Sequence, residues 1–314
     1  MVLAAGRGMR MRPFTHEVPK PLLPVLGRSL MERVLDGLET AGFDDVVANL
    51  HHLPDDIREE LGDRIAYRVE EKLLGTAGGV RNCADLLGAE RFLVTSGSIL
   101  ADVDLAALVS HHEAAGGVAT VAVARAADPR EHTVVLSDSD GRVTGLQDRP
   151  QAAEALSLDV SCGIYVFEPG IFEYVAEGAV ADWEGDVFPG LLDAGAAFHV
   201  HQTTAYWNGV ATPDQLRAAT FDSLTGAVRL QAEGDELDEG FTLGEGSSLG
   251  GVALIEPPVW VGRDVEIGSE VRLHGPLAIG DGARVGDGAS LRATVLLPGA
   301  EVPPGAMVAG GVVK

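Results

Sequence analysis

From residue 2 to about residue 224, short apolar runs alternate with stretches whose apolar positions return every three or four residues. The runs 2–5, 45–50, 66–69 and 91–95 predict strands, and the stretches 29–40, 55–61 and 76–87 between them predict helices. The first helix carries Ser29 and Glu32 at capping-box spacing, with Leu30, Val34, Leu35 and Leu38 on one face. Strand–helix alternation of this kind predicts a doubly wound, Rossmann-like α/β sheet. Beyond residue 118 the pattern turns antiparallel, because 133–136 and 142–146 flank the turn signal Asp140-Gly141 and give the sheet a mixed character. A last helix opens at Thr212, the N-cap, with Pro213 at its first position.

Residues 225–242 are acidic and aperiodic and read as a linker. A period of six then begins. Leu243, Leu249, Ile255, Val261, Ile267, Leu273, Ile279, Val285, Leu291 and Leu297 fall on every sixth position without a break. With roughly one residue in four being Leu, Ile or Val, ten in a row is about a one-in-a-million accident. The period predicts a left-handed parallel β-helix over residues 243–314, one aliphatic per short strand pointing inward. Glycine often follows the aliphatic (Gly244, Gly250, Gly262, Gly268, Gly280, Gly286), and is expected to allow the tight corner conformation. Three segments result: a nucleotide-binding domain over 1–224, a linker over 225–242 and the β-helix over 243–314.

Composition narrows the function. Among 314 residues no apolar run approaches the length of a membrane span, and the apolar start lacks the basic stretch of a secretory signal. Cys83 and Cys162 form neither a disulfide framework nor a metal-ligand spacing, so a cytoplasmic protein is expected. A net charge of -24 argues against nucleic acid and anionic membranes as partners, but not against a small anion held by a few local cations. Lysine occurs only at Lys20, Lys72 and Lys314, which makes a lysine inside a motif informative.

Residues 3–15 read Leu-Ala-Ala-Gly-Arg-Gly-Met-Arg-Met-Arg-Pro-Phe-Thr, and residues 19–25 read Pro-Lys-Pro-Leu-Leu-Pro-Val. A strand thus runs into a glycine loop carrying Arg7, Arg10 and Arg12, with Lys20 shortly after. Glycines there let the backbone approach a ligand and turn free N–H groups toward phosphate. The pair of segments resembles the signature of sugar-1-phosphate nucleotidyltransferases, nearest to mannose-1-phosphate guanylyltransferase-like NDP-sugar synthases. Glu70-Glu-Lys-Leu-Leu-Gly-Thr-Ala-Gly, Asp148-Arg-Pro, Gly163-Ile-Tyr-Val-Phe, Asp186-Val-Phe-Pro and Tyr206-Trp followed by Thr212-Pro continue the likeness in order.

That resemblance implies in-line attack of a sugar-1-phosphate oxygen on the α-phosphorus of a nucleoside triphosphate, with pyrophosphate leaving and an NDP-sugar formed. It implies catalytic roles for Arg10 and Lys20. Nucleotide binding would fall to Leu3, Ala4, Ala5, Gly6, Gly8 and Arg10, with Gly75, Thr76 and Gly78 at the base and ribose. Asp148, Arg149 and Gly163 would hold the sugar phosphate. It also implies Mg²⁺ held by two aspartates, but Ser98 and Gly209 stand in those two places, so no metal ligand is assigned. Met9 and Arg149 replace the family's threonine and lysine. Two expectations therefore stand together: an enzyme diverged at its metal site, or a silent nucleotide- or NDP-sugar-binding subunit of an active paralogue. A homo-oligomer or a complex with that paralogue is expected.

The remaining candidates are weaker. Asp102 and Asp104 read as helix N-caps rather than replacement ligands. His199 and His201 alternate along a strand with no third ligand in view, and His274 stands alone in the β-helix. Trp183 and Trp207 read as core.

Overall fold

The strand Val2–Leu3 lies parallel between Val47–Leu50 and Phe92–Ser96, at the centre of a nine-stranded sheet. In the computed structural model, which describes residues 1–314, Val47–Leu50 also pairs in parallel with Ala66–Val69. On the other side the long strand Asp159–Phe167 pairs antiparallel with Phe92–Ser96, Ala119–Arg125 and Thr133–Ser137, and Phe198–Thr203 pairs in parallel with Ala119–Arg125. The predicted hairpin forms between Thr133–Ser137 and Val143–Asp148, with Gly141 at φ +78° in its turn.

Helices appear where the apolar period put them: Leu30–Thr40, Pro54–Leu61 and Gly75–Asn82, the last broken at Cys83 from a one-turn helix Ala84–Leu87. The capping box is made in both directions, Ser29 N–H donating to Glu32 Oε2 at 2.9 Å and Glu32 N–H to Ser29 Oγ at 3.2 Å. Asp104 caps Leu105–Ala115 by accepting from Ala107 N–H at 2.9 Å, and Thr212 caps Pro213–Leu224 by accepting from Gln215 N–H at 3.2 Å. The sheet's core is aromatic. Tyr165, Phe167, Trp183, Phe188 and Phe198 are buried within 4.3–6.4 Å of one another along a chain of ring contacts.

By its internal contacts the chain forms two units, one of Met1–Arg7, Pro19–Pro21 and Val34–Gly209, the other of Gly8–Val18, Leu22–Arg33 and Val210–Lys314. The second unit holds the β-helix, three sheets of short parallel strands stacked coil on coil. Phe241–Leu243, Val259–Val261, Leu277–Ile279, Val295–Leu296 and Val312–Val313 form one of them. Asp235–Asp238, inside the stretch read as linker, is a strand pairing antiparallel with Phe241–Leu243.

Two features correct the reading of the repeat. Coils register 18 residues apart up to Leu277–Ile279, but Ile279 then pairs with Leu296 and Arg284 with Glu301, 17 apart. The stacked position in that strand is Leu296, not Leu297. One residue is lost at the corner of Ala293 (φ +48°) and the fully buried Thr294, whose Oγ1 donates to Arg292 O and Gly310 O, and another at the corner of Gly310 and Gly311, since Val295 pairs with Val312, again 17 apart. Nor do the glycines after each aliphatic supply the corner. A Cβ on Gly262 would come within 2.2 Å of Asp281 and one on Gly280 within 2.7 Å of Pro298, so these sites are glycine because coils stack closely. Positive φ comes two residues later, at Asp264, Gly282 and Gly288.

No helix is long and apolar enough to cross a membrane.

Candidate functional site

At the end of Val2–Leu3 the backbone leaves the sheet and becomes the glycine loop. Gly97 N–H still donates to Leu3 O at 2.9 Å, but the next donor, Ala4 N–H, turns to the side chain of Asn49, whose Oδ1 accepts at 3.1 Å. Ala4 and Ala5 are buried, whereas Gly6 and Arg7 are exposed, and a Cβ built on Gly6 would meet nothing within 4 Å. The open face of the loop therefore starts at Gly6.

The continuation belongs to the second unit. Gly8 is left-handed (φ +59°, ψ +38°), and its carbonyl accepts from Met11 N–H and Thr15 Oγ1, both at 2.9 Å. This locks the single turn Met9–Met11, on which Met11 is buried and Arg10 is exposed.

Back in the first unit, half-buried Lys20 donates from Nζ to Gly209 O at 3.2 Å. Gly209 follows the strand Trp207–Asn208, which pairs antiparallel with Leu100–Ala101, Asn208 opposite Leu100. The ladder ends at that pair, so Gly209 lies one residue beyond it on one strand and Ser98 two residues before it on the other. The two positions marked by sequence thus flank the same end of one strand pair, and Lys20 donates to one of them. Ser98 is 6% exposed and its Oγ lies 3.2 Å from Ser96 Oγ. Asp102 lies at the other end of this ladder, its N–H donating to Tyr206 O at 2.9 Å. About four residues of extended chain, roughly 13 Å, separate it from Ser98. Nowhere do three or more His, Cys, Asp or Glu side chains come together as a metal site.

Gly75, Thr76 and Gly78 open the helix Gly75–Asn82, and the segment before Trp183 covers them. Ala77 and Gly78 N–H both donate to Ala181 O, at 2.9 and 3.1 Å, and Asp182 Oδ1 accepts from Thr76 N–H and Oγ1 at 2.8 and 2.9 Å. Cβ atoms on Gly75 and Gly78 would come within 2.4 and 2.2 Å of Ala181 O and Ala179 O, and Gly75 has φ +77°. Packing alone thus requires both glycines.

Asp148 ends its strand opposite Thr133, and Arg149, at φ +42°, donates its N–H to His132 O at 3.1 Å. Both side chains are exposed and 3.7 Å apart. Gly163, at φ +70°, sits in the bulge of Asp159–Phe167 between Ser161 and Tyr165. Beside it Cys162 O accepts from Trp207 Nε1 at 2.9 Å, which ties Gly163 to the strand that leads into Gly209. Trp207 is therefore half-buried at the site rather than in the core, its ring 5.2 Å from that of His132. Glu184 accepts from Thr133 Oγ1 at 2.7 Å and from Tyr165 Oη at 3.1 Å. Burial, with Glu184 second, holds the Tyr165 hydroxyl well above its ordinary range, so it acts as a donor. Sequence reasoning missed Asn49, His132 and Glu184. Only Asn49 left a signal, as a lone polar residue in a fully buried four-residue strand.

The family model described as nucleotidyl transferase matches residues 1–225. The UTP--glucose-1-phosphate uridylyltransferase of Synechocystis is 35% identical over 240 residues, covering 69% of this chain and 61% of that protein. Mannose-1-phosphate guanylyltransferase of Mycobacterium tuberculosis is 30% identical over 233 residues, covering 72% of this chain and 64% of that protein. The match thus spans less than two thirds of either relative's length. The solved structure of HddC from Yersinia pseudotuberculosis, complexed with GMP-PN, aligns with a TM-score of 0.61 at 20% identity over 70% of this chain and 96% of its own, a likeness of fold.

Proposed function

The chain belongs to the nucleotidyl transferase family, and from that premise we propose that it binds a nucleoside triphosphate and a sugar-1-phosphate at a site diverged at its metal end. The reaction of this class forms a bond from the sugar-phosphate oxygen to the α-phosphorus and breaks the α–β bridge, releasing pyrophosphate. Such chemistry depends on positioning two anions and neutralising their charge. Lys20, beside Gly209, is the cation for the α-phosphate and the incoming sugar phosphate, and Arg10 neutralises the departing phosphates. The backbone about Gly6 and Gly8 meets the triphosphate, and Gly75, Thr76 and Gly78 line the base and ribose. Asp148, Arg149 and Gly163 address the sugar and its phosphate.

The observation that carries this reading is the hydrogen bond from Lys20 to Gly209 O at the end of the strand pair that Gly209 and Ser98 both flank. Mg²⁺ is the family's expected cofactor, and the residues present do not fit it. Ser98 offers a hydroxyl, Gly209 only a carbonyl, and that carbonyl already accepts from the Lys20 ammonium. The same observation favours a second reading, a catalytically silent subunit that binds nucleotide or NDP-sugar and pairs with itself or an active paralogue. Pyrophosphate release across a panel of triphosphates and sugar-1-phosphates separates the two. Turnover above the uncatalysed rate supports the enzyme, and binding without turnover supports the silent subunit. Sedimentation of the intact chain tests self-association, which a monomeric mass would exclude.

A further inference from the structure

We propose that Asn49 and Glu70 are a positioning pair, which sets the affinity for the nucleotide by fixing the glycine loop against the helix that follows Leu74. The proposal rests on the nucleotidyltransferase reading above and concerns residues that touch no ligand in it.

Asn49 lies opposite Leu3 in the parallel ladder, and Glu70 follows the next strand, its N–H donating to Leu50 O at 2.7 Å. Their side chains form one directed chain of hydrogen bonds. Ala4 N–H donates to Asn49 Oδ1 at 3.1 Å, Asn49 Nδ2 donates to Glu70 Oε1 at 2.6 Å, and Leu74 N–H donates to Glu70 Oε2 at 3.1 Å. The helix Gly75–Asn82 then lays Gly79 on the pair. A Cβ there would fall 2.5 Å from Asn49 Nδ2 and 2.7 Å from Glu70 Oε1. Three segments therefore meet on two side chains that are 2% and 3% exposed.

The polarity of this chain admits one assignment. Two backbone N–H groups enter it, one at each end, so the pair must accept twice at its ends and donate once in the middle. Asn with a carboxylate does this; most other pairs do not. Burying a carboxylate is costly, and an apolar pair would fill the same space at lower cost. What an apolar pair cannot do is hold Ala4 and Leu74 at a fixed separation, and those residues lead directly into the two loops assigned to the nucleotide.

Glu70→Gln turns one acceptor into a donor, so wherever the amides flip, one donor faces another. Asn49→Asp with Glu70→Gln restores every bond with the same net charge. The carboxylate, moved to the first position of the pair, accepts from Ala4 N–H and from the new amide, whose oxygen accepts from Leu74 N–H. The experiment is calorimetric titration of wild type, the single variant and the double variant with UTP, GTP and inorganic pyrophosphate, alongside melting without ligand. Glu70→Gln is expected to weaken whichever triphosphate the wild type binds by at least about tenfold, with pyrophosphate affinity unchanged. The double variant should return to within about threefold of wild type. Unchanged triphosphate affinity in Glu70→Gln overturns the proposal. So does a parallel loss for triphosphate and pyrophosphate that tracks a lowered melting temperature, or a double variant that folds but is not rescued. If Glu70→Gln does not fold, Glu70→Asp, which keeps the charge and shortens the reach, is read in the same way. A wild type that binds neither triphosphate removes the nucleotidyltransferase reading itself, and this proposal with it.

Discussion

Replacing Ser98 and Gly209 together by aspartate should create Mg²⁺ dependence. Gly209 accepts a side chain without backbone strain, since it lies outside the positive-φ glycines and a Cβ there would meet only Trp207 Cζ2, at 3.7 Å. Ser98 and Gly209 flank the Asn208–Leu100 pair, whose Cα atoms stand roughly 5 Å apart, and two aspartate side chains reaching toward each other from there are expected to share one ion. Ser98 is buried, so an unpaired charge there costs more than the about 1–3 kcal/mol of an unpaired neutral group. Ser96 Oγ and the Lys20 ammonium offset part of that cost. Without metal the double variant should therefore melt below wild type. At a Mg²⁺ concentration of about 100 Kd, binding returns about 2.7 kcal/mol, which for a chain of this size raises Tm by roughly 4 °C. Wild-type Tm should not respond to Mg²⁺. In the pyrophosphate assay the double variant should gain at least about 100-fold in Mg²⁺-dependent rate, and each single variant less, because both ligands serve one ion. Equal Mg²⁺ responses in wild type and double variant would refute the reasoning, as would a folded double variant with no response in Tm or rate.

Further outcomes follow from other parts of the molecule. His112 and His201 are held below the ordinary histidine pKa, first by burial; Glu168, Arg91 and His199 surround the former, His111 and Asp104 the latter. The unfolded chain thus binds protons that the fold refuses. Stability should be intact above pH ~6.5 and fall as pH drops from there toward the folded-state values; a Tm unchanged between pH 7.5 and 5.5 would contradict this, and His112→Gln should flatten the slope. Gly78→Ala should destabilise by several kcal/mol, since its Cβ would sit 2.2 Å from Ala179 O; denaturant titration at wild-type stability would count against the packing described. Leu273→Ala, at a fully buried stacked position, should cost about 2–5 kcal/mol, read as a lower urea midpoint, and Leu297→Ala should cost less because Leu296 fills the stack.

The β-helix was legible because each short strand contributes one inward aliphatic, so the fold's period is printed in the sequence. Its slip was hidden, since adjacent Leu296 and Leu297 satisfy both registers. The acidic strand Asp235–Asp238 was hidden too: all four residues are exposed, so no apolar alternation marks them. At the site, contiguous motifs announced Gly6, Gly8 and Lys20, because a loop's conformational needs are local. The Asn49–Glu70 pair was not legible as a pair. Its meaning comes from parallel strands 45 residues and more apart in the chain coming into register at Ala4. The glycines of 75–78 carried a second reason for being glycine, the approach of Ala179 and Ala181, that no single sequence separates from ligand binding.

The central claim, that the phosphate-binding half of the site persists while its metal end has diverged, is tested most directly by titrating nucleoside triphosphates into wild type and Lys20→Ala with and without EDTA. The account predicts saturable binding of at least one triphosphate by wild type, indifferent to chelation and weakened by roughly tenfold or more in Lys20→Ala, in line with losing one charge-assisted contact. No heat and no thermal stabilisation at millimolar triphosphate, or binding that EDTA abolishes, would contradict it.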